Sequence, residues 1–225
     1  MVVRIPALLS VEQLAEARQR LATAPWADGR LTAGWQSSAV KDNLQLPQSE
    51  AAARDLGDIV LRALECNPTF VSATLPRHVY PPMFNRYEPG MSFGAHVDNA
   101  VRQIPGTHHR LRTDISATLF LTAPHEYDGG ELVIEDSYGA HSVKLAAGDM
   151  VVYPASSLHR VEPVTRGVRT AAFFWIQSMV RDDSARTLLF ELDTAIRDLQ
   201  KAADRGPLIR LTACYHNLLR RWAEV

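Results

Sequence analysis

Hydrophobic and polar positions change their period twice along this chain of 225 residues. From Ser10 to about Cys66, apolar residues recur every three or four positions, which predicts amphipathic helices. Ser10 precedes the first of these helices, and Gln13 stands three positions later, as in a capping box. A polar, irregular stretch separates this helix from the next, QSEAAARDLGDIVLRALEC. The first zone is therefore expected to be mainly helical.

From about Thr74 to Ser178 the period shortens to two, and turn residues separate short runs with the composition of strands. No segment of helical length interrupts these runs, which disfavours a parallel α/β sheet. Strands of this number and spacing favour a closed or double-sheet β core such as a jelly roll. The runs are MFNRYE, SFGAHVD, RTDISATLFLT, ELVIED, HSVKLA, DMVVYP, LHRVEPV and VRTAAFFWIQ.

Helical periodicity returns at Asp182, and a stop signal at Arg205-Gly206-Pro207 divides the tail into two helices. A helix pair packed on the outer sheet is the simpler interpretation, and a dimer surface that makes a homo-oligomer is the alternative. The expected protein is mainly β with flanking α-helices. Its expected parts are an N-terminal helical region that packs on the core (1–73), a jelly-roll domain (74–178) and a C-terminal helical extension (179–225).

Composition narrows the class of protein without identifying a function. Lys and Arg number 24 and Asp and Glu 25, and the formal net charge of −1 gives no reason to expect a nucleic acid or an anionic membrane as partner. We find no secretory signal pattern and no run near the ~18 apolar residues of a membrane span. A disulfide between Cys66 and Cys214 is conceivable, but two buried free thiols in a reducing cytosol are preferred. A cytoplasmic location is therefore expected.

The candidate chemistry begins with the stretch GAHVDNA, in which His96 and Asp98 project from one face of a predicted strand. His159 opens a later strand, which a jelly roll can place beside an early one. Two imidazoles and one carboxylate on one face of a metal are the ligands of non-haem Fe(II) oxygenases. Zinc hydrolases also use two His and a carboxylate, so these three residues alone leave the metal open.

Arg169 lies ten residues after His159, in the otherwise apolar run VRTAAFFWIQ. A buried arginine is costly without a partner, and its planar guanidinium pairs best with a carboxylate. The distal carboxylate of 2-oxoglutarate fits this role, because the 2-oxo acid end of the same molecule can chelate Fe(II). Arg169 therefore favours the iron oxygenase interpretation.

The segments FNRYEPGMSFGAHVDNAV, RTDISATLFL, YDGGELVIED and LAAGDMVVYPASSLHRVEPVTRGVRTAAFFWIQS resemble those of a known family. With the helical tail, the chain is similar to the bacterial PKHD-type hydroxylases, relatives of prolyl 4-hydroxylases in the 2-oxoglutarate/Fe(II) dioxygenase superfamily. The resemblance implies a double-stranded β-helix core, with His96, Asp98 and His159 on iron and Arg169 on 2-oxoglutarate. Tyr87 matches a tyrosine whose hydroxyl reaches the co-substrate in related hydroxylases, and a tyrosine packed at the rim is the alternative.

The resemblance also implies a reaction. The protein would use 2-oxoglutarate and O2, with L-ascorbate as reductant, to hydroxylate an unidentified substrate and release succinate and CO2. A peptidyl or amino-acid side chain is one substrate class, and a small molecule linked to iron uptake is another. Two alternatives are a cupin-like enzyme with another divalent metal, which would not need Arg169, and a non-catalytic sensor of iron or 2-oxoglutarate.

Two loops near these residues admit two interpretations each. The basic loop 102–112 follows the predicted strand that carries His96. It is either a lid that meets an anionic substrate or a solvated loop. Asp128-Gly129-Gly130 is either a turn at the mouth of the metal site or an ordinary hairpin turn.

Overall fold

The computed structural model describes residues 1–32, 38–137, 139–200 and 205–225. The predicted irregular stretch after the first helix falls partly outside these residues, as does the segment between the two C-terminal helices. Within the described residues, no helix combines the length and the apolarity needed to cross a membrane.

The larger of two main antiparallel sheets forms the centre of the molecule, with β10 and β17 at its middle. Every position of β10 is buried, as a central strand covered on both faces requires. In spatial order its strands are β1 (Val3–Ile5), β14 (Met150–Pro154), β10 (Ile115–Phe120), β17 (Arg169–Ser178), β6 (Met83–Tyr87), β4 (Leu44–Gln45) and β2 (Ala27–Asp28), and β5 (Pro76–Val79) also pairs with β17.

The smaller sheet packs against one face of the larger one. Tyr87 and Phe120 of the larger sheet and Leu132, Ile134 and Val161 of the smaller sheet share one buried cluster. The strands of the smaller sheet are, in order, β13 (Gly139–Val143), β12 (Leu132–Asp136), β15 (Leu158–Val161), β7 (Ser92–His96) and β3 (Lys41–Asp42). The described residues also form two short strand pairs: β8 (Val101–Gln103) with β9 (Arg110–Arg112), and β11 (Tyr127–Gly129) with β16 (Val164–Gly167).

Among the described residues, three helices of the N-terminal region cover the other face of the larger sheet. They are α1 (Val11–Ala22), α2 (Ala51–Glu65) and α3 (Pro68–Thr74). Leu21 and Leu56 from these helices pack in one cluster with Leu119, Met150 and Phe174 of the sheet. The capping box is confirmed, since Ser10 Oγ accepts from the Gln13 amide and Gln13 Oε1 accepts from the Ser10 amide.

The C-terminal helices are α4 (Asp183–Leu199) and α5 (Arg205–Trp222). Leu189 of α4 and Leu219 and Trp222 of α5 pack on Leu75 and Val180. The pair therefore joins the core through its own apolar cluster, and the prediction of a mainly β protein with helices at both ends is confirmed.

Three details of the prediction need correction. The N-terminal region 1–73 also supplies β1 to β4, which at two or three residues are too short to show a period of two. Gly206 and Pro207 lie in the first turn of α5 rather than after a helix end, because proline needs no amide partner there. Cys66 and Cys214 are free but exposed, not buried: Cys66 caps the end of α2, and Cys214 lies on an open face of α5.

Candidate active site

The register of two neighbouring strands brings the three predicted ligands together. His96 on β7 pairs directly with His159 on β15, and Asp98 follows β7 by two residues. The ligand atoms of the three side chains all lie within 4.8 Å of one another. His159 Nε2 is 3.7 Å from Asp98 Oδ2. The structure thus gathers the proposed ligands, 63 residues apart in sequence, into one cluster.

Hydrogen bonds to the backbone fix the direction of both imidazoles. His96 Nδ1 lies 2.8 Å from the Gly94 carbonyl oxygen, and His159 Nδ1 lies 3.0 Å from that of Ser157. A neutral imidazole that donates its Nδ1 proton to a carbonyl keeps the Nε2 lone pair for a metal. Both rings are therefore oriented as Nε2 ligands.

Ser116 orients the third ligand from the opposite sheet. Its hydroxyl donates to Asp98 Oδ2 over 2.6 Å from β10. The sequence analysis did not identify Ser116, and its one signal there is a small polar residue inside an apolar strand. Because the triad is held by both sheets, its geometry depends on the packing of the whole core.

The surroundings of His96 favour its neutral form. Burial first, and the neighbouring His159 second, lower the pKa of His96 to about 4. Phe93 stacks on the ring with centroids 3.6 Å apart. Neutral imidazole beside a carboxylate is the protonation state in which such a cluster binds a divalent cation.

Arg169 is buried at the end of the same cavity, with 1% of its surface exposed. Its guanidinium carbon lies 5.2 Å from the Tyr87 ring centroid and 5.3 Å from that of Phe120. Within the described residues, its Nε and Nη1 find no hydrogen-bond partner. A buried guanidinium without a carboxylate is unstable unless a ligand supplies one, so these atoms fit a dicarboxylate co-substrate.

Tyr87 lines the cavity opposite Arg169 in the β6–β17 ladder and is 1% exposed. It is therefore not a residue of the rim. Burial raises the pKa of Tyr87, which keeps its hydroxyl protonated and able to donate a hydrogen bond.

Several residues that line the cavity were not anticipated from the sequence. Lys41 belongs to a two-residue strand that has no recognisable pattern. Tyr153 lies 5.2 Å from the His159 ring between centroids, and burial raises the pKa of its hydroxyl. Arg102, from the basic loop, and Trp175, from the strand of Arg169, also line the cavity.

The two ambiguous loops both lie close to these residues. The basic loop forms the β8–β9 hairpin, in which Leu111 is fully buried and Arg102 reaches the cavity, while its tip is exposed. Gly130 adopts a left-handed φ of 66°, and a Cβ there would lie 3.1 Å from Arg169 Cδ. Asp128 and Gly129 belong to β11, which pairs with β16 and not with β12, so the interpretation as a hairpin turn is wrong. Gly130, which follows β11, packs against the cavity arginine.

Solved structures of low sequence identity share this fold. The Pseudomonas putida prolyl-4-hydroxylase is 21% identical, has a TM-score of 0.53, and is matched over 78% of this chain and 92% of its own. A Trichoplax adhaerens prolyl hydroxylase, solved with a hypoxia inducible factor oxygen degradation domain peptide, is 15% identical with a TM-score of 0.57, over 83% and 86% of the two chains.

Sequence comparisons are more specific than the fold. The 2OG-Fe(II) oxygenase superfamily matches residues 82–177, and the PKHD-type hydroxylase C-terminal domain matches residues 183–224. A PKHD-type hydroxylase of Saccharophagus degradans is 59% identical over 225 residues, and one of Gluconobacter oxydans 60% over 227, each covering the whole of both chains. With its HxD…H cluster, the chain therefore belongs to the PKHD-type hydroxylases, Fe(II)- and 2-oxoglutarate-dependent oxygenases related to the prolyl 4-hydroxylases.

Proposed function

We propose that His96, Asp98 and His159 bind one face of Fe(II), and that Arg169 binds the distal carboxylate of 2-oxoglutarate. The observation that carries this assignment is the buried Arg169 guanidinium, whose Nε and Nη1 adjoin the cavity of the triad and have no hydrogen-bond partner among the described residues. Tyr87 is proposed to donate its hydroxyl to the same carboxylate. The five residues together would form the catalytic and cofactor-binding site.

When bound, Fe(II) and 2-oxoglutarate supply oxygen activation, with succinate and CO2 as the co-products. The protein residues have supporting roles. The carbonyls of Gly94 and Ser157 hold the imidazoles, and the Ser116 hydroxyl holds Asp98. The carboxylate pairing at Arg169 would fix the distal end of the co-substrate and so limit the orientations that it can adopt in the cavity.

The proposal for the substrate is less specific than the proposal for the metal and the co-substrate. The fold shared with prolyl hydroxylases supports a peptidyl or amino-acid side chain, and a small molecule linked to iron uptake is the second class. L-Ascorbate is the proposed reductant and the cytoplasm the proposed location. We also propose the boundaries 1–73, 74–178 and 179–225 for the three parts of the chain, and a lid role for residues 102–112.

An anaerobic titration tests the cofactor assignment. Metal-free protein receives Fe(II) and then 2-oxoglutarate, and the visible charge-transfer band of an iron-chelated 2-oxo acid is recorded. We expect the band in the wild type, its loss in His159→Ala, and a large increase in the 2-oxoglutarate needed for half-saturation in Arg169→Ala. His141→Ala and Arg166→Gln change an exposed histidine and an exposed arginine and should leave the band intact.

Each contrary outcome favours a defined alternative. If the folded, iron-loaded wild type gives no band, the result would support an enzyme that uses another divalent metal. A band without succinate formation in air, with any added amino acid or peptide, would support the sensor.

A homo-oligomer through the C-terminal helices is a separate proposal. Leu188 on α4 is 59% exposed and Ile209 on α5 is 67% exposed, which supports an apolar contact on this side. Light scattering on the wild type and on a Leu188→Glu, Ile209→Glu double variant tests it. A monomeric wild type at micromolar concentration would contradict the proposal.

A further inference from the structure

The cavity extends past the triad, away from Arg169. In the strand ladders Arg169 pairs with Tyr87, whereas Trp175, six residues along β17, pairs with Ser116, the residue that holds Asp98. At about 3.3 Å per residue, roughly 20 Å of strand separates Arg169 from Trp175. The region around Trp175 is therefore too far from Arg169 to belong to the same carboxylate site.

Arg102 lies in this second region, on β8. Its guanidinium carbon is 4.0 Å from the Trp175 ring centroid and 5.4 Å from that of Tyr80. Its Nε is buried without a hydrogen-bond partner, and it forms no ion pair in the described part of the chain. Stacking on an indole holds the guanidinium in place and leaves its N–H edge available to a planar anion.

Lys41 lies in the same region, 6% exposed. Its ammonium donates to Gln45 Oε1 over 3.1 Å and lies 5.4 Å from the Phe93 ring centroid and 5.9 Å from that of Phe173. Burial first, and the charge of Arg102 second, lower the pKa of Lys41 to about 8. These two cations repel each other in a cavity of low dielectric constant, and an anion between them would stabilise both.

Trp175 adds a neutral donor. The residue is 5% exposed, and within the described residues its Nε1–H has no hydrogen-bond partner. Asp98 is the one acidic residue among the described residues that line the cavity, and the metal triad uses its charge. Nothing in the described cavity wall therefore neutralises Arg102.

We propose that Arg102, Lys41 and Trp175 form a subsite for a carboxylate of the primary substrate. Phe93 and Phe173 would pack on the apolar part beside that carboxylate, which places a neighbouring C–H toward the triad. The proposal rests on the proposed function, because it takes Arg169 to be occupied by 2-oxoglutarate. It narrows the substrate class to carboxylate-bearing molecules, whether free acids or peptides with an acidic group.

The test compares an acid with its neutral amide. Hippurate and hippuramide differ by the charge of one group, and calorimetry measures their binding to protein loaded anaerobically with Fe(II) and saturating 2-oxoglutarate. We expect hippurate to bind about tenfold more tightly than hippuramide, as one charge-assisted contact allows. Arg102→Gln should remove most of this preference, because it weakens hippurate binding more than hippuramide binding. Arg110→Gln, an exposed arginine on the same hairpin, should keep it.

Three results would overturn the subsite. They are equal affinity of the acid and the amide in the wild type, no hippurate binding at millimolar concentration, and a preference that survives both Arg102→Gln and Lys41→Gln. The charge-transfer band reports cofactor loading separately. If the band fails to form, the proposed function is at fault, and the acid-to-amide ratio on metal-free protein still decides the subsite.

Discussion

Lys41 is a buried cation in the wall of the active-site cavity, and its environment makes a prediction for pH dependence. The pKa of its ammonium is lowered to about 8 by burial and by Arg102, against an ordinary value of 10.5. Between these two values the unfolded chain binds more protons at this residue than the folded chain does. The free energy of unfolding therefore gains a contribution as pH rises through this window.

Lys41→Met isolates that contribution. We expect the unfolding free energy of the wild type to rise relative to the variant between pH 7.5 and pH 10, by up to roughly 3 kcal/mol. Below pH 8 the variant should be the more stable protein, because it buries no charge. Urea unfolding of the metal-free proteins at several pH values provides the measurement, and parallel curves would contradict the prediction.

At the scale of elements, the glycine that follows β11 packs against the arginine of the cavity. Gly130 has φ 66°, and a Cβ there would lie 3.1 Å from both Arg169 Cδ and Tyr127 Cε2. Gly106, in the β8–β9 hairpin, has φ 74° with open space around it. Both glycines have a left-handed φ, so alanine would be strained at either position, whereas only Gly130 is crowded. The two substitutions therefore form a matched pair.

Gly130→Ala should displace Arg169 and weaken 2-oxoglutarate binding by about tenfold, a free-energy cost comparable to moderate side-chain crowding. Iron binding should change little, because the triad lies on other strands. Gly106→Ala is the control and should bind 2-oxoglutarate like the wild type. The half-saturation of the charge-transfer band compares them, and equal values for both variants would show that Gly130 does not position Arg169.

At the scale of the whole molecule, the C-terminal extension is tied to Met1, to α3 and to β9. The Met1 ammonium is 2.8 Å from Asp183, Ser72 Oγ donates to Asp193 over 2.6 Å, and Glu224 is 3.0 Å from Arg112.

Arg186, 2% exposed, donates to the carbonyls of Val180 and Arg181. These contacts join the extension to the β core.

We expect Arg186→Ala to lower the free energy of unfolding by about 2 to 4 kcal/mol, since it leaves buried carbonyls without donors. Tryptophan fluorescence, from four residues that include Trp222 on α5, and far-ultraviolet circular dichroism should still report one shared transition. Arg181→Ala removes an exposed arginine nearby and should have little effect on stability. Two separate transitions in Arg186→Ala would mean that the helices unfold independently of the core.

Local pattern accounts for most of what could be predicted from the sequence. The capping box at Ser10, the strands around His96 and His159, and the burial of Arg169 each depend on a period or on the cost of a charge in an apolar run. By contrast, the short strands and the exposure of Cys66 and Cys214 depend on which surfaces meet in space. A two-residue strand such as Lys41–Asp42 has no period of its own and exists because β7 provides its partner.

The sequence by itself determined the fold class, the order of the HxD…H and Arg169 positions, and the family, because these follow from periodicity and from residue chemistry. Only the tertiary structure decided that Ser116 holds Asp98, that Gly130 abuts Arg169, and that Lys41 and Arg102 share one cavity wall. The reason is physical: each of these pairs brings together residues from distant segments of the chain, and packing rather than local pattern sets the distance between them.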